Sequence, residues 1–368
     1  MNIIKEFLKI IEDNGFQAYV VGGFVRDYLL RINSTDIDIT TNATPKDIKK
    51  IFSNITLKKS TYEDSYYGSI IVTYKDREFE VITMREEMDY LDNRHPSSIK
   101  YVNDLELDLK RRDFTINAIC MDKKGKIIDP LNGAKDLKKK VIKTIIDSNK
   151  SFKDDALRIL RAIRFSTVLK FKLDENVILA IKNNKKYLKN ISYERKKIEL
   201  DKMFASKNAK LGIELIKKLD LVNELELTNI DRIKDYTDLI GIWSMINSPV
   251  YKFTKVEKEL IKNVNIVYEY DNLDYYVLYK YGLYVNILAG INKGINKKKI
   301  TKVYNALPIK SRSDIKIDVD TICKVLNLKP NKFLNDIYIS IEKEILFKRL
   351  KNNQEEIIKY LKENCLKK

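Results

Sequence analysis

Two glycines between an apolar run and a helical one constrain this chain most. Tyr19-Val20-Val21 is β-rich and reads as a buried strand, Gly22-Gly23 interrupts it, and Phe24 to Leu30 resumes at helical spacing with Arg26 and Asp27 on the first turns. A strand that stops at glycines and restarts as a helix lets the backbone approach a ligand closely. It also offers free N–H groups to an anion, and phosphate suits such a place. Asp36-Ile37-Asp38-Ile39-Thr40 follows; i, i+2 spacing in a strand puts both carboxylates on one face and both isoleucines on the other. Two carboxylates so placed make a poor core and a good Mg²⁺ site, because Mg²⁺ takes hard oxygen ligands and shares them with substrate phosphates. An Asp-x-Asp strand alone would equally suit a solvated sheet edge; the phosphate-type turn one helix upstream favours the metal. The spacing is neither GxGxxG nor GxxxxGK[ST], which disfavours dinucleotide binding and P-loop chemistry.

Gly22-Gly23-x-Val25-Arg26-Asp27 followed by Asp36-x-Asp38 resembles the catalytic head of the nucleotidyltransferase superfamily. More narrowly it resembles the class II tRNA nucleotidyltransferases (CCA-adding enzymes) and the related bacterial poly(A) polymerases. Arg111-Arg112-Asp113-Phe114-Thr115-Ile116-Asn117-Ala118 is a near-complete match to that family's RRDFTINA motif. By the resemblance Arg112 contacts nucleotide, while Asp113 and Asn117 are buried supports. Ser69 to Tyr74 and Glu78 to Met84 read as a hairpin around Lys75-Asp76-Arg77. The resemblance makes Glu80 the third acidic residue of the site; periodicity alone leaves Glu78 equally open. Residues 86–102, which contain the chain's one histidine, His95, read as polar and irregular and resemble the flexible loop of full CCA-adding enzymes. A histidine before Pro96 reads as a loop residue rather than a general base.

From about Val141 the pattern turns helical. A helix is expected over residues 152–164, with Asp155, Arg158 and Arg161 three apart along one side and Arg164 next. Taken alone, such a face is an ordinary salt-bridged helix surface. Asp154-Asp155-Ala156-Leu157-Arg158 resembles the family's EDxxR motif, with Asp154 where Glu is usual, and the match implies a base-reading role. Cytosine and adenine both pair an exocyclic amine with an unprotonated ring nitrogen, while guanine and uracil present the reverse. A carboxylate accepting from the amine and a guanidinium donating to the ring nitrogen therefore select C and A without a nucleic-acid template. Asp155 and Arg158 are the expected pair. Glu194 and Glu199 sit in a segment resembling the family's ERxxxEL motif, which implies that they orient the neck helices and Arg158.

Net charge is +18, unevenly spread: residues 206–290 carry 11 basic and 12 acidic side chains, residues 291–368 carry 19 and 9. A neutral stretch followed by a basic one, including Lys297-Lys298-Lys299 and Lys367-Lys368, suits a polyanion grip. Solvated helix faces are the plainer explanation of the same lysines. Three distant cysteines suggest neither disulfides nor zinc, and no apolar run is long enough for a membrane span. Residues 1–6 are amphipathic and contain an acid, unlike a secretory signal, so a cytoplasmic protein is expected. No protein partner can be inferred.

The expected fold is an α/β head with a small mixed sheet and flanking helices, then an all-α neck, body and tail. The divisions fall at 1–140, 141–205, 206–290 and 291–368. The resemblance implies template-independent addition of CCA to the 3′ end of tRNA from CTP and ATP, with Mg²⁺ held by Asp36 and Asp38. A poly(A) polymerase or an A-adding tRNA nucleotidyltransferase shares every head motif and is the nearest alternative. A non-catalytic tRNA-binding protein on the same scaffold is the second, disfavoured because a binder need not keep Asp36, Asp38 and Arg26.

Overall fold

A computed structural model describes residues 1–53, 68–90, 96–271, 273–329 and 333–365, the side chains of residues 89 and 90 excepted. The chain divides into two compact units, residues 1–226 and 227–368.

In the first unit the strands are β1 (Ala18–Val21), β2 (Ile37–Thr41), β3 (Ser69–Tyr74), β4 (Arg77–Thr83), β5 (Arg85–Tyr90), β6 (Pro96–Tyr101), β7 (Cys120–Met121) and β8 (Ile127–Ile128). Six form a mixed sheet in the order β3-β4-β2-β1-β7-β8, in which β2 and β4 run parallel. Lys75 and Asp76 both take positive φ, the conformation of a tight hairpin turn, and pair β3 with β4 as expected. One face of the sheet is covered by α1 (Asn2–Asp13), whose Ile4, Phe7, Leu8 and Ile11 are buried at helical spacing. Phe7 stacks on Phe79 of β4 at 3.9 Å and on Phe52 at 4.9 Å. Its complete burial contributes on the order of 1.5–3 kcal/mol.

Residues 86–102 depart from the irregular loop expected there. β5 and β6 pair as an antiparallel hairpin from Arg85↔Tyr101 to Tyr90↔Pro96. Alternation is present, but charges on both faces disguise it: Arg85 and Glu87 lie on one side and bond each other at 2.7–2.8 Å. Residues 91–95, with Arg94 and His95, lie outside the described residues.

Beyond the sheet the unit is mainly helical, with one small addition: Val141–Ile142 pairs with Lys172–Leu173 in parallel. The single helix expected over residues 152–164 is two. Ser148–Asp154 ends, Asp155 is extended at φ −137°, ψ 104°, and a new helix runs from Leu157 to Leu169. Asp155 Oδ1 accepts from Leu157 N at 3.0 Å, a local side-chain bond that competes with helix continuation.

The second unit, by itself, has only helices as regular elements among its described residues, with Leu278, Ile300, Ile341, Ile357 and Leu361 in its core and Trp243 packed against Tyr251 and Phe253. Helices stop at Ile246 and Asn292, just before the turn-forming residues Asn247, Ser248 and Pro249 and before Gly294. The expected border at 290/291 falls in the last turn of the helix Tyr275–Asn292. That helix is kinked at Gly282, where φ is +72° and the Asn286 amide donates to the Gly282 carbonyl at 2.8 Å. Lys367 and Lys368 lie outside the described residues. No described helix is long and apolar enough to cross a membrane.

Candidate active site

Strand register assembles the acidic centre. Val21, the last residue of β1, stands opposite Asp38 on β2, and Asp38 stands opposite Glu80 on β4. Glu78, paired with Thr73 on β3, does not line the cleft described below, whereas Glu80, paired with both Ile71 and Asp38, does. Because β1 ends at Val21, Gly22 arrives beside Asp38. At φ +77°, a Cβ on Gly22 would stand 3.2 Å from Asp38 Oδ2 and 3.7 Å from Arg112 NH1, so glycine is required by both backbone and space. The helix that follows, α2 (Gly23–Leu29), has only seven residues. A two-turn helix has little macrodipole, so positive charge at this end comes mostly from side chains.

These elements open a cleft of about 670 Å³ within the first unit. Gly22, Gly23, Arg26, Asp36, Asp38, Glu80, Arg112, Asp113, Asn117, Asp155, Arg158, Arg161 and Arg164 all line it. Asp36 lies one residue before β2 rather than inside it, and is exposed. Glu194 is exposed on the helix Tyr193–Phe204 and does not line the cleft. Glu199 acts from behind: Arg164 donates to it, and it lies 3.8 Å from Arg161. Of the two glutamates expected to orient Arg158, Glu199 is seen bonded to Arg164, further along the same helix. Arg158 is held instead by Ser151 Oγ at 2.9 Å and the Arg111 carbonyl at 2.7 Å.

Arg26, buried, donates to Asn117 Oδ1 at 2.7 Å; the Asn117 amide donates to Asp113 Oδ1 at 3.0 Å; Arg161 donates to Asp113 Oδ2 at 2.7 Å. Asp113 and Asn117 are both buried; Asn117 closes a 3₁₀ turn, Thr115–Asn117, and Asp113 lies two residues before it. Burial alone would raise the Asp113 carboxyl, but Arg161, Asn117 and Arg158 bring it down to about 2. Asp38 goes the other way: burial, then the Glu80 charge, raises it to about 6, with Asp36 adding and Arg112 and Arg161 opposing. Asp155 is also raised, by burial, against Arg195 and Arg158.

Among the described residues eight arginines and no lysine line the cleft, a composition that favours planar, multi-donor recognition of phosphates and bases. Arg195 carries no signal of its own in the sequence, where the glutamates around it stand out. Its guanidinium lies 3.8 Å from Asp155 Oδ2, beyond hydrogen-bond distance. Arg195 NH1 and Arg112 Nε are both buried without an acceptor among the described residues. Unanswered donors lining a polar cleft are what an absent anionic ligand leaves behind.

Residues 18–143 match the family model of the poly A polymerase head domain, and residues 249–361 match that of tRNA nucleotidyltransferase domain 2. The CCA-adding enzyme of Staphylococcus haemolyticus is 33% identical, over 99% of this chain and 98% of its own length. The chain belongs to the CCA-adding enzyme family. The family's enzyme from Ligilactobacillus salivarius is also 33% identical, over 98% of this chain and 97% of that one. The crystal structure of the Bacillus stearothermophilus CCA-adding enzyme in complex with CTP superposes with a TM-score of 0.81 at 25% identity, covering 98% of this chain and 96% of that one. Nucleotidyltransferases of this family use divalent metal ions, and the donors here fit one. Asp36, Asp38 and Glu80 all carry hard oxygen donors, and Asp38, raised first by burial and then by the Glu80 charge, is a carboxylate whose charged form a cation would stabilise. Among the described residues no group of three His, Cys, Asp or Glu converges to hold an ion alone.

Proposed function

We propose that this chain adds C, C and A to the 3′ end of tRNA from CTP and ATP without a nucleic-acid template, releasing pyrophosphate. The observation that carries this reading is the register that sets Asp38 beside Glu80, at one wall of a cleft that Asp155 and Arg158 also line. Asp36 and Asp38 are the proposed metal ligands, with Glu80 as the third acid. Bound there, Mg²⁺ would neutralise the α-phosphate and lower the pKa of the primer 3′-hydroxyl for in-line attack. Gly22, Gly23, Arg26 and Arg112 bind the triphosphate, and Asp38 must be deprotonated to take part. Arg158 donates to the ring nitrogen of cytosine or adenine while Asp155 accepts from its amine. Arg161 and Arg164, fixed by Asp113 and Glu199, hold that side of the cleft in shape.

By function the chain divides into a catalytic head (1–140), a base-reading neck (141–205), a body (206–290) and a basic tail (291–368), in a cytoplasmic enzyme. The tail's role rests on charge placement. Lys297, Lys298 and Lys299 are exposed on the first turn of the helix Lys297–Asn305, where cations oppose the helix dipole at roughly 0.3–1 kcal/mol each. A polyanion such as the tRNA backbone would offset that cost, and backbone contacts suit an enzyme that accepts every tRNA.

The test is extension of a tRNA ending at its discriminator base, read at nucleotide resolution. The expected products are two C with CTP alone, and CCA with both nucleotides. A ladder of A from ATP alone would identify a poly(A) polymerase. A single A added only to a CC end would identify an A-adding enzyme, and no extension with intact tRNA binding a binding protein.

A further inference from the structure

Asp108 has no place in the catalytic reading, yet it is a buried charge beside the cleft with partners on both oxygens. Its side chain is wholly inaccessible, on the short helix Leu105–Lys110. A carboxylate taken out of water needs charged and hydrogen-bonding partners on both oxygens, and Asp108 draws them from separate parts of the site. Oδ2 accepts from Thr40 Oγ1 at 3.0 Å and lies 3.3 Å from Arg112 NH2. Oδ1 accepts from Arg111 Nε at 2.8 Å and from the backbone N–H of Arg85 at 3.3 Å. Thr40 lies two residues beyond Asp38, on the same side of β2 by strand alternation. Arg85 opens β5, and the Arg111 carbonyl is the one that holds Arg158.

We propose that Asp108 is a positioning residue that fixes Arg112 against the strand bearing Asp38 and ties both to the root of the β5–β6 hairpin. The proposal rests on Arg112 contacting nucleotide. One carboxylate shared between Arg111 and Arg112 decides where the remaining donors of Arg112 point. Those donors face the turn at Gly22, and a displacement of about 1 Å at a reacting centre can cost roughly a hundredfold in rate. Thr40 supplies the reference point, because it moves only with the strand that carries Asp38.

The experiment is a double-mutant cycle on the full chain, with nucleotide KM and kcat measured for CTP and ATP. Asp108→Asn keeps the shape and removes the charge. It is expected to lose at least about tenfold in kcat/KM, or 1.4 kcal/mol, mostly through nucleotide KM. Introduced into Arg112→Ala, it is expected to change kcat/KM by less than about twofold, since its route to the substrate is already gone. Losses that multiply in the double variant overturn the proposal while leaving the reading of Arg112 intact. An Arg112→Ala variant with wild-type nucleotide KM overturns both. Should Asp108→Asn fail to fold, Thr40→Val decides, because it cuts the strand tether and keeps both charges. A severalfold rise in KM that disappears beside Arg112→Ala supports the proposal, and a folded Thr40→Val with unchanged KM overturns it.

Discussion

The two units treat buried charge in opposite ways. In residues 1–226, Arg26, Asp108, Asp113, Arg158 and Glu199 are all buried beside one cleft, and each is tied to others by bonds that cross between elements. In residues 227–368 the core is aliphatic and aromatic, with Glu342, paired to Arg312 at 2.7 Å, and Asp235 as its buried acids among the described residues. Its lysines stand outward. A buried network fixes directions to fractions of an ångström, whereas exposed lysines fix only a sign of charge. The first arrangement suits selection among bases and phosphates. The second suits a grip on any polyanionic backbone.

That contrast breaks most visibly at the acidic centre. Asp38→Ala should lower nucleotide addition by about a thousandfold or more, several kcal/mol of barrier, while tRNA affinity in a filter-binding assay stays within about twofold. Substantial turnover in this variant would remove the metal assignment, and a matching loss of tRNA binding would remove the separation of roles.

A smaller effect is expected at the β5–β6 hairpin. One Asp/Arg pair accepts both C and A, so a further element must reshape the pocket between steps. Shortening the tip between Glu86 and Pro96 should leave C addition nearly intact and slow the final A by at least about tenfold, or 1.4 kcal/mol. Equal loss of both steps would make the hairpin a general lid instead.

The pH dependence of metal binding sharpens the comparison further. Asp38 is raised to about 6, by burial first and Glu80 second, so a metal must displace its proton below that pH. Metal affinity, followed by calorimetry, should be flat above pH 7 and fall about tenfold per unit below pH 6. The sign is opposite for stability of the protein without metal. The contribution of Asp38 is full below its unfolded value near 3.8 and is lost as pH rises through 6. Affinity unchanged between pH 7 and 5 would contradict this.

The smallest effect belongs to the second unit. Replacing Lys297, Lys298 and Lys299 with alanine should flatten the salt dependence of tRNA binding, by roughly 0.7–0.9 in log–log slope for each phosphate that is no longer neutralised. Nucleotide KM should not move. An unchanged slope would assign these lysines to ordinary solvated surface.

What could be read from sequence follows the same contrast. Gly22, Asp36 and Asp38 stand out in the sequence because backbone geometry and ligand chemistry restrict those positions to few residue types, whereas Arg112 stands out only through the resemblance to the RRDFTINA motif. Glu80 became distinct from Glu78 only through the pairing of β4 with β2, which no local pattern contains. Asp155 was placed in a helix because apolar spacing continues across residues 152–164, although its own carboxylate diverts the backbone at Leu157. Asp108 and Arg195 are silent in the sequence because each looks like a surface charge on an amphipathic helix; Thr40 and Arg85, which bond Asp108 besides its near neighbours Arg111 and Arg112, are far away in sequence, and Asp155, beside Arg195, lies between two other helices. The β5–β6 hairpin was read as irregular because its alternation is one of charges that satisfy each other, which a hydrophobic pattern does not register.

The central claim is that this protein chooses its nucleotide with its own side chains, and the most direct measurement is kcat/KM for single incorporation of each of the four nucleoside triphosphates by the wild type and Arg158→Ala. The account predicts that the wild type uses CTP and ATP and excludes GTP and UTP. Arg158→Ala should lose about 1–3 kcal/mol on CTP and ATP alike, with the margin over GTP and UTP shrinking accordingly. A variant that keeps full rate and the same exclusion would show that selection resides elsewhere, and would contradict the account.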